Sequence, residues 1–169
     1  MPQREIFYRQ GIAFEGMIGT QNPRVIRGAR EEWISKGKIP YGRAVVRDAP
    51  ASNFLRLPNA AGQTPVGIAI FTEMYGETIN SFVNDTVEPG YPDQVMLNIL
   101  TWGDVVVWVE EAVTVDAPAL FRHTANGAGR DKIGRFAMTA GTGLQAYPGA
   151  RFITKTTKAG VAWVALNIP

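Results

Sequence analysis

The chain has no cysteine and a single histidine, His123, among its 169 residues. Without cysteine there is no disulfide frame, no thiolate nucleophile and no thiolate zinc site. One histidine cannot supply clustered imidazoles for a metal. A catalytic triad would also need a nucleophile and an orienting acid beside it. The serines are Ser35, Ser52 and Ser81, none in a nucleophile-elbow pattern. His123, in FRHTANG, reads as an ordinary histidine at a strand end.

Long apolar runs are missing as well. Nothing approaches the roughly 18 apolar residues of a membrane-spanning helix. The opening MPQREIFYRQ has no apolar signal core, so synthesis in a cytoplasm is expected. Helical periodicity is nearly absent, and only GETINSFVN (76–84) has the makings of a turn or two of helix. GTGLQA (141–146) matches a dinucleotide fingerprint, but Pro148 and Gly149 follow where a helix must open, so it reads as a loop. GAGRDK (127–132) lacks the lysine and hydroxyl end of a phosphate loop. Glu31-Glu32 and Glu110-Glu111 are adjacent pairs. Neighbours on a strand point to opposite faces, so neither pair makes a shared carboxylate site. No cofactor, metal or small-molecule substrate is expected.

What the sequence does have is strand. Eighteen glycines and eleven prolines cut it at the spacing of a sandwich or barrel. PVGIAIFTEMY alternates Val66, Ile68 and Ile70 against Gly67, Ala69 and Phe71. VIRGAREEWI and YGRAVVRDA read as further strands. In QVMLNILTWGDVVVWVEEAV two β-branched runs flank Trp102-Gly103-Asp104, which reads as a hairpin; Val105, Val107 and Val109 share one face, Val106 and Trp108 the other. Asn126-Gly127 is another turn signal. The closing YPGARFITKTTKAGVAWVALNIP supplies a last strand pair, Ala150–Ile153 and Val161–Ile168, around a polar loop. A half-solvated strand should alternate apolar and polar residues, yet residues 105–109 and 161–166 do not. Either both faces are covered within one chain, or another chain covers one of them.

The expectation is an all-β protein with one sandwich or barrel domain, residues 24–169, preceded by an extended N-terminal arm, residues 1–23. The arm has no period of its own, but it carries Phe7, Tyr8 and Phe14, which are expected to pack on something. Charge is segregated. Residues 1–56 hold ten Lys/Arg and five Asp/Glu, residues 57–121 hold nine acids and no base, and residues 122–169 hold seven bases and one acid. Either strand pairing joins these blocks within the fold, or complementary faces meet between molecules. The bases are too thinly spread for a nucleic-acid stripe.

In order along the chain stand IPYGRAVVRD (39–48), VGIAIFTE, GDVVVWVEEAVTV (103–115) and YPGARFITKTTKAGVAWVAL (147–166). This series resembles the capsid cement, or decoration, proteins of tailed bacteriophages. The family pattern falls on Ile39, Pro40, Tyr41 and Gly42, on Gly103 to Val109, and on Pro148, Gly149, Ala150, Phe152 and Gly160 to Leu166. One departure is Val115-Asp116-Ala117-Pro118, where members often carry a Gly-Asp turn.

The resemblance implies a jelly-roll-like or related barrel subunit with no enzymatic activity. It implies homotrimers on the outer capsid surface of the virion, bound to the major capsid protein across capsomer joints, with no nucleic-acid or membrane partner. Candidate partner-binding residues are Phe7, Tyr8, Phe14 and Trp33, with Arg24, Arg27, Arg30, Arg43 and Arg47 facing acidic capsid surface. Two rivals are a tail or baseplate β-module and a carbohydrate-binding β-sandwich, the latter needing exposed aromatics such as Trp33, Tyr41 and Tyr147.

Overall fold

The computed structural model describes residues 13–19, 25–27, 33–72, 88–127 and 129–167. Twelve strands lie within them: β1 (Val25–Arg27), β2 (Ile34–Ser35), β3 (Ile39–Pro40), β4 (Ala44–Arg47), β5 (Phe54–Arg56), β6 (Pro65–Ala69), β7 (Gly90–Tyr91), β8 (Ile99–Val109), β9 (Pro118–Arg122), β10 (Phe136–Ala137), β11 (Leu144–Phe152) and β12 (Gly160–Asn167). No helix occurs among the described residues. The segment 76–84 lies outside them.

β8 organises the molecule. β12 pairs with it antiparallel without a break, from Gly160 opposite Val109 to Asn167 opposite Trp102. β12 in turn pairs with β11, β11 with β9 and β9 with β10. β10 then returns to β8 in a parallel contact, Phe136 opposite Val109. The sheet therefore closes on itself as a barrel, which removes exposed strand edges. From the start of β8 a second limb runs outward as β6, β4, β5 and β2, and β3 with β7 forms a separate small sheet.

The hairpin expected at Trp102-Gly103-Asp104 does not form. β8 passes straight through these residues because β12 holds all three, with Asp104 opposite Ala165, Gly103 opposite Leu166 and Trp102 opposite Asn167. Gly103, at φ 119, takes a backbone conformation that favours glycine, and the strand continues through it. Residues 13–19 fall within the expected arm, and they are hydrogen-bonded into the sheet. Gly16 and Gly19 donate to the carbonyls of Val106 and Asp104, each at 2.8 Å, and Met17 accepts from Val106 at 2.8 Å.

Two cores are built from these strands. Val105, Val107 and Val109 fill the barrel with Phe121, Phe136, Phe152, Ala162, Val164 and Leu166. Ala44, Ile68 and Ile70 join this core, while their neighbours Val45 and Ala69 face a second one with Trp33, Ile39, Tyr41, Leu55, Tyr91, Leu97 and Ile99. Strands buried on both faces read as continuous apolar runs. β3 and β7 close over the second core at Gly90, where a Cβ would collide with the Ile39 carbonyl and Pro40 Cα.

Candidate functional site

β12 turns Ala162, Val164 and Leu166 into the barrel, so Val161, Trp163 and Ala165 point outward. Register places their neighbours. Val161 stands opposite Trp108, Trp163 opposite Val106, and Ala165 opposite Asp104 on β8 and Arg151 on β11. The Ile153 N–H donates to the Trp163 carbonyl at 2.9 Å, which sets Ile153 beside Trp163. The result is an outward apolar face on the barrel wall. Ile153 is 36% exposed and Val161 37%, and Trp163 and Trp108 are half-buried. The Arg135 guanidinium lies 4.9 Å from the Trp108 ring centroid. Arg151, Lys155 and Lys158 stand exposed on β11 and on the loop to β12.

A smaller outward row crosses the second limb. The parallel β2–β5 register puts Ile34 beside Phe54, and a bridge puts Met96 on its other side. Phe54 is 37% and Met96 49% exposed, while Ser35, Leu55 and Leu97 face inward.

Several residues expected to meet a partner are placed elsewhere. Arg43 is fully buried, not at a rim. Its guanidinium pairs with Glu88 and lies 3.8 Å from Glu15, and Glu88 also meets Arg135 at 3.2 Å and Lys132 at 3.4 Å. Burial lowers the Arg43 pKa from its ordinary value, against the pull of Glu15 and Glu88. An arginine on a short strand between apolar neighbours reads as a surface charge; only the fold shows that three elements converge on it. Trp33 belongs to the second core, with the Arg47 guanidinium 4.4 Å over its ring. Arg47 remains exposed and donates to the Ser52 carbonyl at 2.8 Å. Phe14 packs edge-on against Phe71 at 5.0 Å, and Phe71 against Tyr41. Phe7, Tyr8, Arg24 and Arg30 lie outside the described residues, as does the side chain of Arg27 in β1. The sugar-binding rival loses its platform, since Trp33, Tyr41 and Tyr147 are all buried.

Two acids of the middle block, Glu110 and Glu111, are engaged within the fold. Arg122 takes Glu110 through a two-pronged contact, and Glu111 accepts from the N–H groups of Met138 and Thr139 at 3.0 and 2.7 Å. His123 Nδ1 sits 2.8 Å from Thr124 Oγ1. Among the described residues no three acids or histidines group as metal ligands. The arrangement is one of packing, ion pairs and outward apolar rows.

Residues 2–167 match the family model described as structural cement protein (E217 gp24/Pam3 gp6). The chain belongs to the structural cement proteins. It is a structural protein of the phage virion with a capsid-stabilising role, and it associates with the capsid shell. A chain in a solved structure, "The capsid of Myoviridae Phage XM1", shares the fold at TM-score 0.70 and 17% identity, covering 94% of this chain and 93% of that one. No curated protein matches the sequence significantly. Among the described residues, the inside of the barrel is apolar core.

Proposed function

We propose that this cement protein binds the outer capsid surface across joints between capsomers, as a homotrimer, and carries out no catalysis. The family match over residues 2–167 carries the reading. Other observations support its finer parts. Glu110 and Glu111 are used to hold strands and loops, and His123 is engaged by its neighbour Thr124. Exposed apolar rows on two different parts of the molecule suit a subunit that meets both sister copies and the shell.

The physics of such a role is mass action. A joint between capsomers buries less surface than a domain core, so a shell opens there first. A subunit bound across the joint binds the closed state and not the opened one, and it stabilises the closed state in proportion to its occupancy and affinity. Synthesis in the host cytoplasm precedes docking. Residues 1–23 act as an arm on the 24–169 domain, with Phe7, Tyr8 and the arginines at 24, 27 and 30 meeting a partner.

Thermal release of packaged genome, from particles with and without the protein, is the test. Particles lacking it are expected to assemble and to release genome at lower temperature, and added protein is expected to restore the curve. Superimposed curves at saturating occupancy would overturn the reading in favour of a tail or baseplate module.

A further inference from the structure

Three cations stand beside the outward barrel face. Arg151, Lys155 and Lys158 are exposed, and none forms an ion pair among the described residues. They edge a continuous apolar surface made of Ile153, Trp163, Val161 and Trp108, held flat by three paired strands. Leaving two large aliphatic side chains more than a third exposed beside two tryptophans is costly unless something covers them.

Most of the described acids are engaged within the chain itself. Glu88 is committed to Arg43, Arg135 and Lys132, Glu110 to Arg122, and Asp48 to Lys36 and Arg56. Asp93 accepts from the Gly37 N–H at 2.6 Å, and Asp131 from the Gly127 N–H at 3.3 Å. An acidic surface on the shell with which the chain associates would complement the three cations.

We propose that the outer face of β8, β12 and β11 is the surface that docks on the shell, and that its occupant is an acidic, apolar-bearing patch of the capsid protein. The inference rests on the cement reading above and names the surface that performs it. The apolar rows supply the part of the affinity that salt leaves alone. The three cations supply register and association rate, which salt screens over about 10 Å at 0.1 M and about 3 Å at 1 M.

The test is co-sedimentation of purified protein with expanded particles of its own virus that lack it, with solution mass measured by light scattering. Reversal of the three cations (Arg151→Glu, Lys155→Glu, Lys158→Glu) is expected to weaken binding at least about tenfold at 0.1 M salt, with the gap narrowing as salt rises. Val161→Asn, which removes the apolar contact without adding charge, is expected to weaken it about tenfold at every salt concentration. Lys38→Glu makes one such reversal on an exposed loop of the other limb and is expected to bind as the parent does. Melting curves establish that each variant folds, and the cation set stands alone if Val161→Asn does not.

Unchanged particle binding by folded variants would overturn the proposal. So would a fall in solution mass caused by the same substitutions, which would assign the face to contacts between copies. So would binding of the parent, but not the variants, to anionic vesicles or DNA at the affinity seen for particles. Failure of the parent protein itself to bind any particle would instead strike the cement reading on which the proposal stands.

Discussion

Arg122 grips Glu110 by two hydrogen bonds at one end of the barrel, Nε to Oε1 and Nη2 to Oε2, each at 2.7 Å. The arginine is fully buried and the glutamate side chain is 3% exposed. Its remaining nitrogen, Nη1, donates to the carbonyls of Thr124 and Thr142 at 3.0 and 3.2 Å. One side chain thus ties the end of β8 to the loops that follow β9 and precede β11. Removing one partner of a buried pair strands the other charge, a loss of about 3–5 kcal/mol. Arg122→Met is expected to lose that much in urea unfolding. Adding Glu110→Met is expected to recover a large part of it, because two apolar side chains leave no charge to strand.

Acid stability reports on Glu111. Burial works to raise its pKa, but the N–H groups of Thr139 and Met138, with Arg130 at 4.0 Å, hold it below the ordinary 4.5. A depressed carboxylate contributes stability that is present above its unfolded pKa and is lost as pH falls through the folded value. The melting temperature is therefore expected to fall below about pH 4.5, and Glu111→Gln is expected to flatten that fall. A variant curve parallel to the parent's would show that the carboxylate contributes nothing.

Two buried tyrosines are expected to respond oppositely to loss of the hydroxyl. Tyr91 Oη donates to the Ile70 carbonyl at 2.8 Å and accepts from the Asn98 N–H at 3.2 Å. Tyr91→Phe leaves those groups short of a partner and is expected to cost about 1–3 kcal/mol. Tyr147 Oη finds no partner in the barrel core, and burial pushes its pKa up. Tyr147→Phe is expected to be neutral or stabilising. A raised pKa gives stability that is full below pH 10 and declines above it. The phenylalanine variant should lose that alkaline decline in melts between about pH 9 and 11.

His123→Ala is expected to change the unfolding free energy by no more than about 0.5 kcal/mol and to leave particle binding intact. The imidazole is only half-buried and its described contact is to the adjacent threonine. Capsid stability lost through this change, in a variant that melts like the parent, would show that His123 has a functional role.

Much of the fold was legible because periodicity and burial share a cause. Val105, Val107 and Val109 were assigned one face, and all three line the barrel core. The runs without alternation, 105–109 and 161–166, left open whether the same chain or another covers their second face, and Val106, Trp108, Val161 and Trp163 on that face belong to neither core. Gly103 misled because a glycine flanked by β-branched runs signals a turn only when no partner strand spans it; β12 does. The charge blocks were ambiguous because pairing joins distant segments. Glu88 with Arg43, Arg135 and Lys132, and Glu110 with Arg122, show the blocks meeting inside the chain. Arg43 was unreadable as a buried group, since its burial depends on Glu15 and Glu88 arriving from 28 and 45 positions away. The outward row of Ile153, Trp163 and Val161 was visible as excess apolarity, but which side faced out needed the register.

The N-terminal segment gives a last prediction, in which the position of a truncation decides the outcome. Four backbone hydrogen bonds join residues 16–19 to the rest: Gly16 N–H to the Val106 carbonyl, Val106 N–H to the Met17 carbonyl, Gly19 N–H to the Asp104 carbonyl, and Phe71 N–H to the Gly16 carbonyl, all between 2.8 and 3.0 Å. Phe14 adds a ring contact to Phe71, and Glu15 a carboxylate 3.8 Å from buried Arg43. A net value near 0.5–1.5 kcal/mol per hydrogen bond puts the backbone contribution alone at about 2–6 kcal/mol. A chain beginning at Thr20 loses these contacts, whereas one beginning at Ala13 keeps them. Urea unfolding of the two truncations is expected to separate them by that amount, with the shorter chain less stable. In the shorter chain the amides of Val106 and Phe71 should also exchange with solvent faster. Equal stability and equal exchange in both would mean that β8 holds its place without the segment, and that residues 13–19 contribute nothing to the stability of the barrel.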